Sequence, residues 1–433
     1  MRFATRWQRW RPRLRGPREG CRTHMKSDPR ALGDQDMTSR PLRVLVWGPG
    51  GLGRITIREI TSLPELCLTG VLAYSHENDG VDAGTLAGIA PTGVPVTTDI
   101  AVALDIEADV VLHLARDYGR YSGRHSAVDD IATFLRRGRN VITVHPFHHP
   151  EAFAALSDPA DAMHRIQQAC NEGSSTFHAT GINPGLIADR LAPTLTGLCT
   201  QVRSVRVYET WDHAHFNNKT LTVIGFGRRP QDIEANPAIA TMIDNYCAHN
   251  LYTLARSLNV QITNTRVEHE WALAPTELRF PTINIAEGTV GRLTRSWHAH
   301  TAHGGPHLTV EVNWTLGRQE MIPQGMDPDH YYGIVVEGTP SLQMGLSITG
   351  SFEHRKHLVV DDDPTSEPGY YAVVATCLQA VPYVAAAAPG ILPPAGPLLH
   401  WAPDFRLMSR HDRDRVSVAS SCAPIHRQRS FDQ

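Results

Sequence analysis

Residues 42–53 have the sequence Leu-Arg-Val-Leu-Val-Trp-Gly-Pro-Gly-Gly-Leu-Gly, a short apolar run that leads directly into a glycine-rich turn. The apolar run predicts a buried strand. The isoleucines at positions 55, 57 and 60 predict a helix that follows the turn and ends before Pro64. The stretch therefore predicts a strand, a tight turn and a helix in immediate succession.

The spacing of Gly48, Gly50 and Gly53 in this turn is the fingerprint of dinucleotide binding when a strand precedes it and a helix follows. The three glycines allow the tight turn, the approach of the backbone to a pyrophosphate, and the packing of helix on strand. A glycine turn without a ligand is the alternative interpretation. We expect the cofactor-binding turn to consist of Gly48, Pro49, Gly50, Gly51, Leu52 and Gly53.

Further along the chain, strands and helices alternate, with apolar runs at 109–114 and 140–144 that resemble strands buried on both faces. This order predicts an α/β class with a doubly wound parallel sheet. Long alternating strands at 202–211, 260–272, 288–302, 307–316 and 342–352 predict a second, α+β domain. A helix from Tyr370 to Ala388 is expected to return to the first domain.

The predicted boundaries follow from these patterns. We expect a disordered basic extension over residues 1–40, a dinucleotide-binding domain over 41–180, and an α+β substrate and dimerisation domain over 181–366. The returning helix occupies 367–403, and 404–433 form a disordered tail.

Composition excludes several classes of protein. The chain has 433 residues, of which 41% are hydrophobic and 20% charged, and no run of 18 apolar residues, so we expect no membrane span. Its seven cysteines form no C-x-x-C pair, which favours a reducing, cytoplasmic location. Residues 1–40 carry eleven Lys and Arg against four acids, whereas the rest carries 30 against 40. The acidic body argues against a nucleic-acid partner, and Met37 is a plausible start of the working chain.

The choice of nicotinamide cofactor depends on the end of the second strand, where an acid would bind the ribose 2′-hydroxyl of NAD. Here Ser75 and His76 occupy that place, and the first acid is Glu77. A hydroxyl and an imidazole can accept a 2′-phosphate, so the sequence favours NADP with Ser75 as a binding residue. Glu77 keeps NAD possible.

A second turn, Thr180-Gly-Ile-Asn-Pro-Gly-Leu186, follows a predicted strand. Pro184 favours an extended Asn183, and Gly185 frees the turn before the next helix. Asn183 would then lie at the strand-to-helix corner, where ligands bind in open α/β sheets. Its amide matches the carboxamide of nicotinamide, and an ordinary Asn-Pro turn is the alternative.

These two turns, together with Ala380-Val-Pro382 and Ala388-Pro-Gly390, fall in the order that resembles 2,4-diaminopentanoate dehydrogenase-like proteins. That family includes amine dehydrogenases and is related to dihydrodipicolinate reductase. Over residues 41–400 the resemblance implies a Rossmann domain, a homodimer, a small-molecule substrate, and NAD(P)-linked hydride transfer at a carbon that bears nitrogen.

The chain departs from the family after the fifth strand. The resemblance implies an acidic pair there, whereas this sequence reads Val144-His-Pro-Phe-His-His-Pro150. His145 stands at the expected nicotinamide edge and is the predicted catalytic proton carrier. His148, His149 and His213 are the alternatives.

A metal site and a non-enzymatic function were also weighed. The histidines at 298, 300, 303 and 307 could form a metal site, but no acid lies close to them in sequence, so we predict no metal. A non-catalytic dinucleotide-binding sensor or scaffold is the rival function.

Overall fold

The computed structural model describes residues 40–393 except for 116–126, 150–157, 215–217, 237–239, 241–242, 245–246, 282, 318–320, 324–325, 328–329, 362 and 364. Residues 1–39 of the predicted basic extension and the predicted tail from 404 therefore lie outside the described residues. The described residues from Pro41 onward belong to one compact unit.

The described strands are β1 (Leu42–Trp47), β2 (Leu66–Leu72), β3 (Val96–Thr97), β4 (Val110–His113), β5 (Asn140–Thr143), β6 (Thr176–Ala179), β7 (Gln201–Asp212), β8 (Ile262–Leu273), β9 (Leu278–Arg279), β10 (Asn284–Ile285), β11 (Val290–Thr301), β12 (His307–Thr315), β13 (Tyr332–Thr339), β14 (Leu342–Leu346) and β15 (Gly390–Leu392). The α-helices described in full are α1 (Gly51–Ser62), α2 (Ala83–Ala87), α3 (Ile100–Asp105), α4 (Ala127–Arg136), α5 (Pro159–Gly173), α6 (Ala192–Thr196), α7 (Asn218–Ile224), α8 (Pro230–Glu234), α9 (His249–Ser257) and α10 (Pro368–Ala386). A π-helical turn, Ile187–Leu191, precedes α6.

The first sheet has seven parallel strands in the order β15-β6-β5-β4-β1-β2-β3. Every residue of β4 is buried, as predicted for a strand covered on both faces. Gly138 adopts a φ of +74° just beyond α4, the left-handed conformation that a C-cap glycine supplies. The predicted Rossmann architecture is confirmed.

The second sheet has six strands in the order β14-β13-β7-β12-β11-β8. Strands β11 and β12, predicted over 288–302 and 307–316, pair antiparallel, whereas β12 and β7 run parallel. Alternate residues of β7 are buried against α9 and its neighbours in one continuous core. The prediction of a second, α+β layer is therefore confirmed.

Two details of the second sheet differ from the prediction. The strand expected over 342–352 ends at Leu346, and β13 was not predicted. Strands β13 and β14 pair across the bend at Thr339–Pro340.

The C-terminal helix α10 returns to the first sheet, as predicted. It buries Cys377, Val381 and Val384 in the core that contains β1 and β4, and β15 then extends the sheet beside β6. This helix is long and apolar enough to cross a bilayer by length and composition alone. Within the structure, one face of this helix packs on the sheet.

Candidate functional site

The glycine turn between β1 and α1 is sterically closed to side chains at two positions. Gly48 has a φ of +98°, and a Cβ there would lie 2.5 Å from the Cα of Ala115. A Cβ on Gly53 would lie 2.2 Å from the carbonyl oxygen of Gly48. Both contacts are far below van der Waals distance, so the turn requires glycine at these two places.

Gly50 differs, because a Cβ on it would meet nothing within 4 Å. It is the N-cap of α1, and no side chain caps the helix there. The first N–H groups of a helix have no acceptor within the helix and attract negative charge. Open space in front of an uncapped helix start therefore fits a dinucleotide pyrophosphate.

The segment after β2 bears on the choice of cofactor. Ser75 is exposed and precedes a 3₁₀ turn, His76–Asn78, that contains the exposed Glu77. The next acid, Asp79, accepts hydrogen bonds from the backbone N–H of Thr98 at 2.9 Å and from its hydroxyl at 3.1 Å. The Asp79 carboxylate is thus bound to the neighbouring loop.

His145 lies at the carboxyl end of β5, at the edge where the prediction placed it. Its Nε2 donates to the carbonyl oxygen of Ala115 at 2.5 Å, and its ring stacks on that of His113 at 4.8 Å. Its backbone N–H donates to the hydroxyl of Thr143 at 3.1 Å. The imidazole is 2% exposed and connects the end of β5 to the residue that packs on Gly48. Its catalytic role stays a prediction.

His148, the first alternative to His145, is buried against the second layer. Burial, followed by the positive charges of His178, Arg256 and Arg190, lowers the pKa of His148 to about 3. The Nη1 of Arg256 donates to the His148 carbonyl at 2.6 Å. His148 is therefore neutral at physiological pH, which does not suit a proton carrier that works near neutrality.

Asn183 lies at the corner after β6, where Gly185 adopts a φ of +115° and the Asn183–Pro184 bond is cis. The Oδ2 of Asp189 accepts from the N–H of Gly185 at 2.8 Å and supports the turn. The Nδ2 of Asn183 donates to Oε2 of Glu209 on β7 at 3.1 Å. The amide thus joins the first sheet to the second, and its donor is directed at a carboxyl group.

Glu209 is the functional candidate that the sequence analysis missed. It is 9% exposed, and Trp314 on β12 donates from Nε1 to its Oε1 at 3.0 Å. Burial raises the pKa of Glu209, against the opposing effect of the hydrogen bonds from Trp314 and Asn183. Its signal was visible: Val205, Val207, Glu209 and Trp211 share one buried face of β7, so an acid interrupts an apolar stripe.

Of the other histidines named from the sequence, His213 and the group at 298–307 lie on or next to the second sheet. The His213 ring, after β7, lies 5.2 Å from Trp314 and 6.0 Å from Phe226, close to the Glu209 face. His298 and His307 stack at 5.7 Å, and Glu268 lies 3.2 Å from Nε2 of His298. Within the described ranges, no group of three or more His, Cys, Asp or Glu side chains is arranged to hold a metal ion.

Comparison with known proteins agrees with this geometry. The family model for the N-terminus of dihydrodipicolinate reductase matches residues 42–124. An amine dehydrogenase from Streptomyces virginiae is 26% identical over 370 residues, which cover 81% of this chain and 94% of that protein. The chain is thus similar to dihydrodipicolinate reductase over residues 42–124 and to an amine dehydrogenase over most of its length. The predicted resemblance and the predicted class, an NAD(P)-dependent oxidoreductase, are both confirmed.

Other relatives match in narrower ways. A 4-hydroxy-tetrahydrodipicolinate reductase from Rhodopseudomonas palustris is 44% identical over 73 residues, 16% of this chain and 27% of that enzyme. The solved amine dehydrogenase from Mycobacterium smegmatis has 19% identity and a TM-score of 0.65, and the match covers 84% of this chain and 98% of that one. The structural match extends the shared fold across both sheets.

Proposed function

We propose that this oxidoreductase transfers a hydride between NADP(H) and a carbon that bears nitrogen, in the oxidation of an amine or the reduction of an imine. The glycine turn carries the proposal, because the space in front of Gly50 and the uncapped start of α1 fit a pyrophosphate. The relatives named as amine dehydrogenase and tetrahydrodipicolinate reductase support the substrate class. When bound, the nicotinamide supplies or accepts the hydride.

We assign the pyrophosphate contacts to the turn from Gly48 to Gly53 and the 2′-phosphate contact to Ser75. No acid occupies the end of β2, and Asp79 is held by Thr98, which favours NADP. The exposed Glu77 is the residue through which NAD would be accommodated. Separate titrations with NADPH and NADH, followed by cofactor fluorescence, compare the two directly.

We assign proton transfer to His145 and the positioning of nicotinamide and substrate to Asn183. Both follow strands of the first sheet at its carboxyl edge, where ligands bind in this fold. His145 borders the glycine turn through Ala115, and Asn183 borders the second sheet through Glu209. The substrate is then held between the two sheets.

The decisive experiment follows the absorbance of the reduced cofactor with two substrate panels. One panel contains ketones with ammonia and cyclic imines, and the other contains primary amines with the oxidised cofactor. We expect turnover with at least one nitrogen substrate and none with the matching alcohols. Tight NADPH binding without turnover on either panel would instead indicate the non-catalytic sensor.

We also propose a homodimer in a reducing compartment. The dimer rests on the family resemblance, and sedimentation velocity tests it. The compartment rests on the cysteines, since Cys67, Cys170, Cys199, Cys247 and Cys377 are free thiols.

A further inference from the structure

Glu209 is a buried carboxyl group that pairs with no cation among the described residues. Three other carboxylates of the second layer each pair with an arginine: Asp189 with Arg256 at 3.3 Å, Glu311 with Arg206 at 2.7 Å, and Asp244 with Arg295 at 2.7 Å. Among the residues that the structure describes, no Lys, Arg or His nitrogen lies within 4.0 Å of the Glu209 carboxyl. A buried charge without a counter-ion is costly, so such a group is either neutral or awaits a cation.

The hydrogen bonds that Glu209 receives suit its charged form. One N–H donor points at each oxygen, from Trp314 at 3.0 Å and from Asn183 at 3.1 Å. If Glu209 were protonated, its O–H would need an acceptor. The atoms that face it, Nε1 of Trp314 and Nδ2 of Asn183, are both donors. These hydrogen bonds thus favour the ionised carboxylate, whereas burial raises the pKa of Glu209.

Acceptor atoms are in excess around this carboxyl group. The Oδ1 of Asn183 is buried and has no hydrogen-bond partner among the described residues, and the same is true of the Oδ1 of Asn250. Asn250, on α9, adjoins the turn because its Nδ2 lies 3.5 Å from the Asn183 carbonyl oxygen. Buried acceptors normally find a donor. A ligand that brings several N–H donors and a positive charge satisfies both deficits.

Aromatic side chains border the same face of the sheet. Tyr332 is paired with Glu209 across β13 and β7, and its hydroxyl accepts from Nε1 of Trp211 at 3.2 Å. Trp314 stands opposite Trp211 on β12. Indole and phenol rings attract cations to their faces and bury apolar substituents. The surroundings therefore suit a cation with an apolar group rather than a second carboxylate.

We propose that Glu209, together with Asn183, binds the substrate nitrogen as an ammonium or iminium ion, and that the substrate class is primary amines with an apolar alkyl or aryl substituent. This assignment rests on the proposed function. It gives Glu209 the place in nitrogen binding that the resemblance led us to expect from an acidic pair after β5. The nitrogen would donate to Oε1 or Oε2 of Glu209 and to the Oδ1 of Asn183.

The test compares n-butylammonium with its neutral analogue n-butanol as probes, by calorimetry on the full chain with and without NADP⁺. Glu209→Gln removes the charge and keeps the shape, with Oε1 accepting from Trp314 and the amide of Asn183 turned to accept from the new N–H₂ group. Glu311→Gln is the matched control, because its carboxylate lies on the neighbouring strand and pairs with Arg206.

We expect wild type and Glu311→Gln to bind n-butylammonium at least tenfold more tightly than n-butanol, and Glu209→Gln to lose that preference. NADPH affinity should agree within about twofold among the three proteins. Equal affinity of the wild type for the two probes overturns the proposal whether or not the variants fold, and so does an unchanged preference in folded Glu209→Gln. Charge-dependent binding without turnover on either substrate panel would contradict the proposed function and leave the ammonium site standing.

Discussion

His148 predicts a specific loss of stability in acid. Both of its ring nitrogens are buried without a hydrogen-bond partner in the described part of the chain, and its pKa falls from 6.5 to about 3. Below pH 6.5 the His148 imidazole is therefore protonated in the unfolded chain but stays neutral in the folded protein. Stability from this group is complete above pH 6.5 and is lost as the pH falls towards 3.

One proton corresponds to about 1.4 kcal/mol per pH unit over that interval. Acidification from pH 6.5 to about 4.5 should thus cost roughly 2–3 kcal/mol through His148 alone. His249 adds a loss of the same sign, because burial, followed by His148 and His149, lowers its pKa well below the usual value.

The perturbation is His148→Leu, which keeps a similar volume and removes the proton site. Urea unfolding at several pH values gives the free energy of unfolding, and its slope against pH should fall by about one proton below pH 6.5. At pH 8 the variant should be as stable as wild type within about 1 kcal/mol, since the ring nitrogens it removes make no hydrogen bond. His164→Leu, on the exposed face of α5, is the control and should keep the wild-type slope. An unchanged slope in His148→Leu would refute the reasoning.

Further predictions concern the cofactor and the chemistry. Gly50→Asp should reduce NADPH affinity beyond detection, since the carboxylate would occupy the pyrophosphate position, while Gly50→Ala folds and melts like wild type; equal calorimetric affinity in Gly50→Asp would mean that the turn binds nothing. Ser75→Asp should shift the ratio of NADP to NAD affinity towards NAD by about tenfold, or ~1.4 kcal/mol, and a constant ratio would place the ribose elsewhere. His145→Ala should lower turnover by about 10²–10⁴-fold at nearly constant NADPH affinity, and turnover close to the wild-type rate would assign the proton to another group. Asn183→Ala should instead weaken cofactor or amine binding.

The elements that local sequence patterns specify could be predicted, and the contacts between distant elements could not. The glycine turn, the strand before it and the helix after it are contiguous in sequence, so all three follow from the pattern. The parallel sheet follows from the alternation of strands and helices. His148 was a plausible proton carrier in sequence. In the structure it is buried against distant parts of the chain, such as Arg256, 108 residues away, which donates to its carbonyl oxygen.

The same limit explains why Glu209 was missed. Its two hydrogen-bond donors lie 26 and 105 residues away, on different elements. Sequence analysis placed Asn183 at the correct corner but assigned its amide to nicotinamide alone. The structure directs the amide N–H at Glu209, and the amide oxygen has no hydrogen-bond partner among the described residues. An acid on the apolar face of β7 was the available signal, and a search for charged residues that interrupt buried stripes would have detected it.

The first turn of α10 connects the two halves of the site, and Tyr370 is the residue on which this connection depends. A Cβ on Gly51 would lie 3.2 Å from the Tyr370 ring, and that ring is 5.3 Å from the ring of Trp211. Glu367, the N-cap of α10, accepts from the backbone N–H of Tyr370 at 3.1 Å and from the Tyr331 hydroxyl. One side chain thus supports both the glycine turn and the aromatic face near Glu209.

Removal of that ring should therefore affect both ligands together. An aromatic pair contributes about 0.5–1.5 kcal/mol beyond the area it buries, so Tyr370→Ala should weaken NADPH and n-butylammonium each by roughly 2–10-fold. Tyr383→Ala is the matched control, because Tyr383 lies on the same helix with 70% of its surface exposed, and it should leave both affinities unchanged. If Tyr370→Ala weakens NADPH alone, the ring supports only the turn, and the aromatic face is held by Glu367 and Tyr331 without it. If it weakens both by a similar factor, helix α10 positions the dinucleotide turn and the nitrogen site relative to each other through Tyr370.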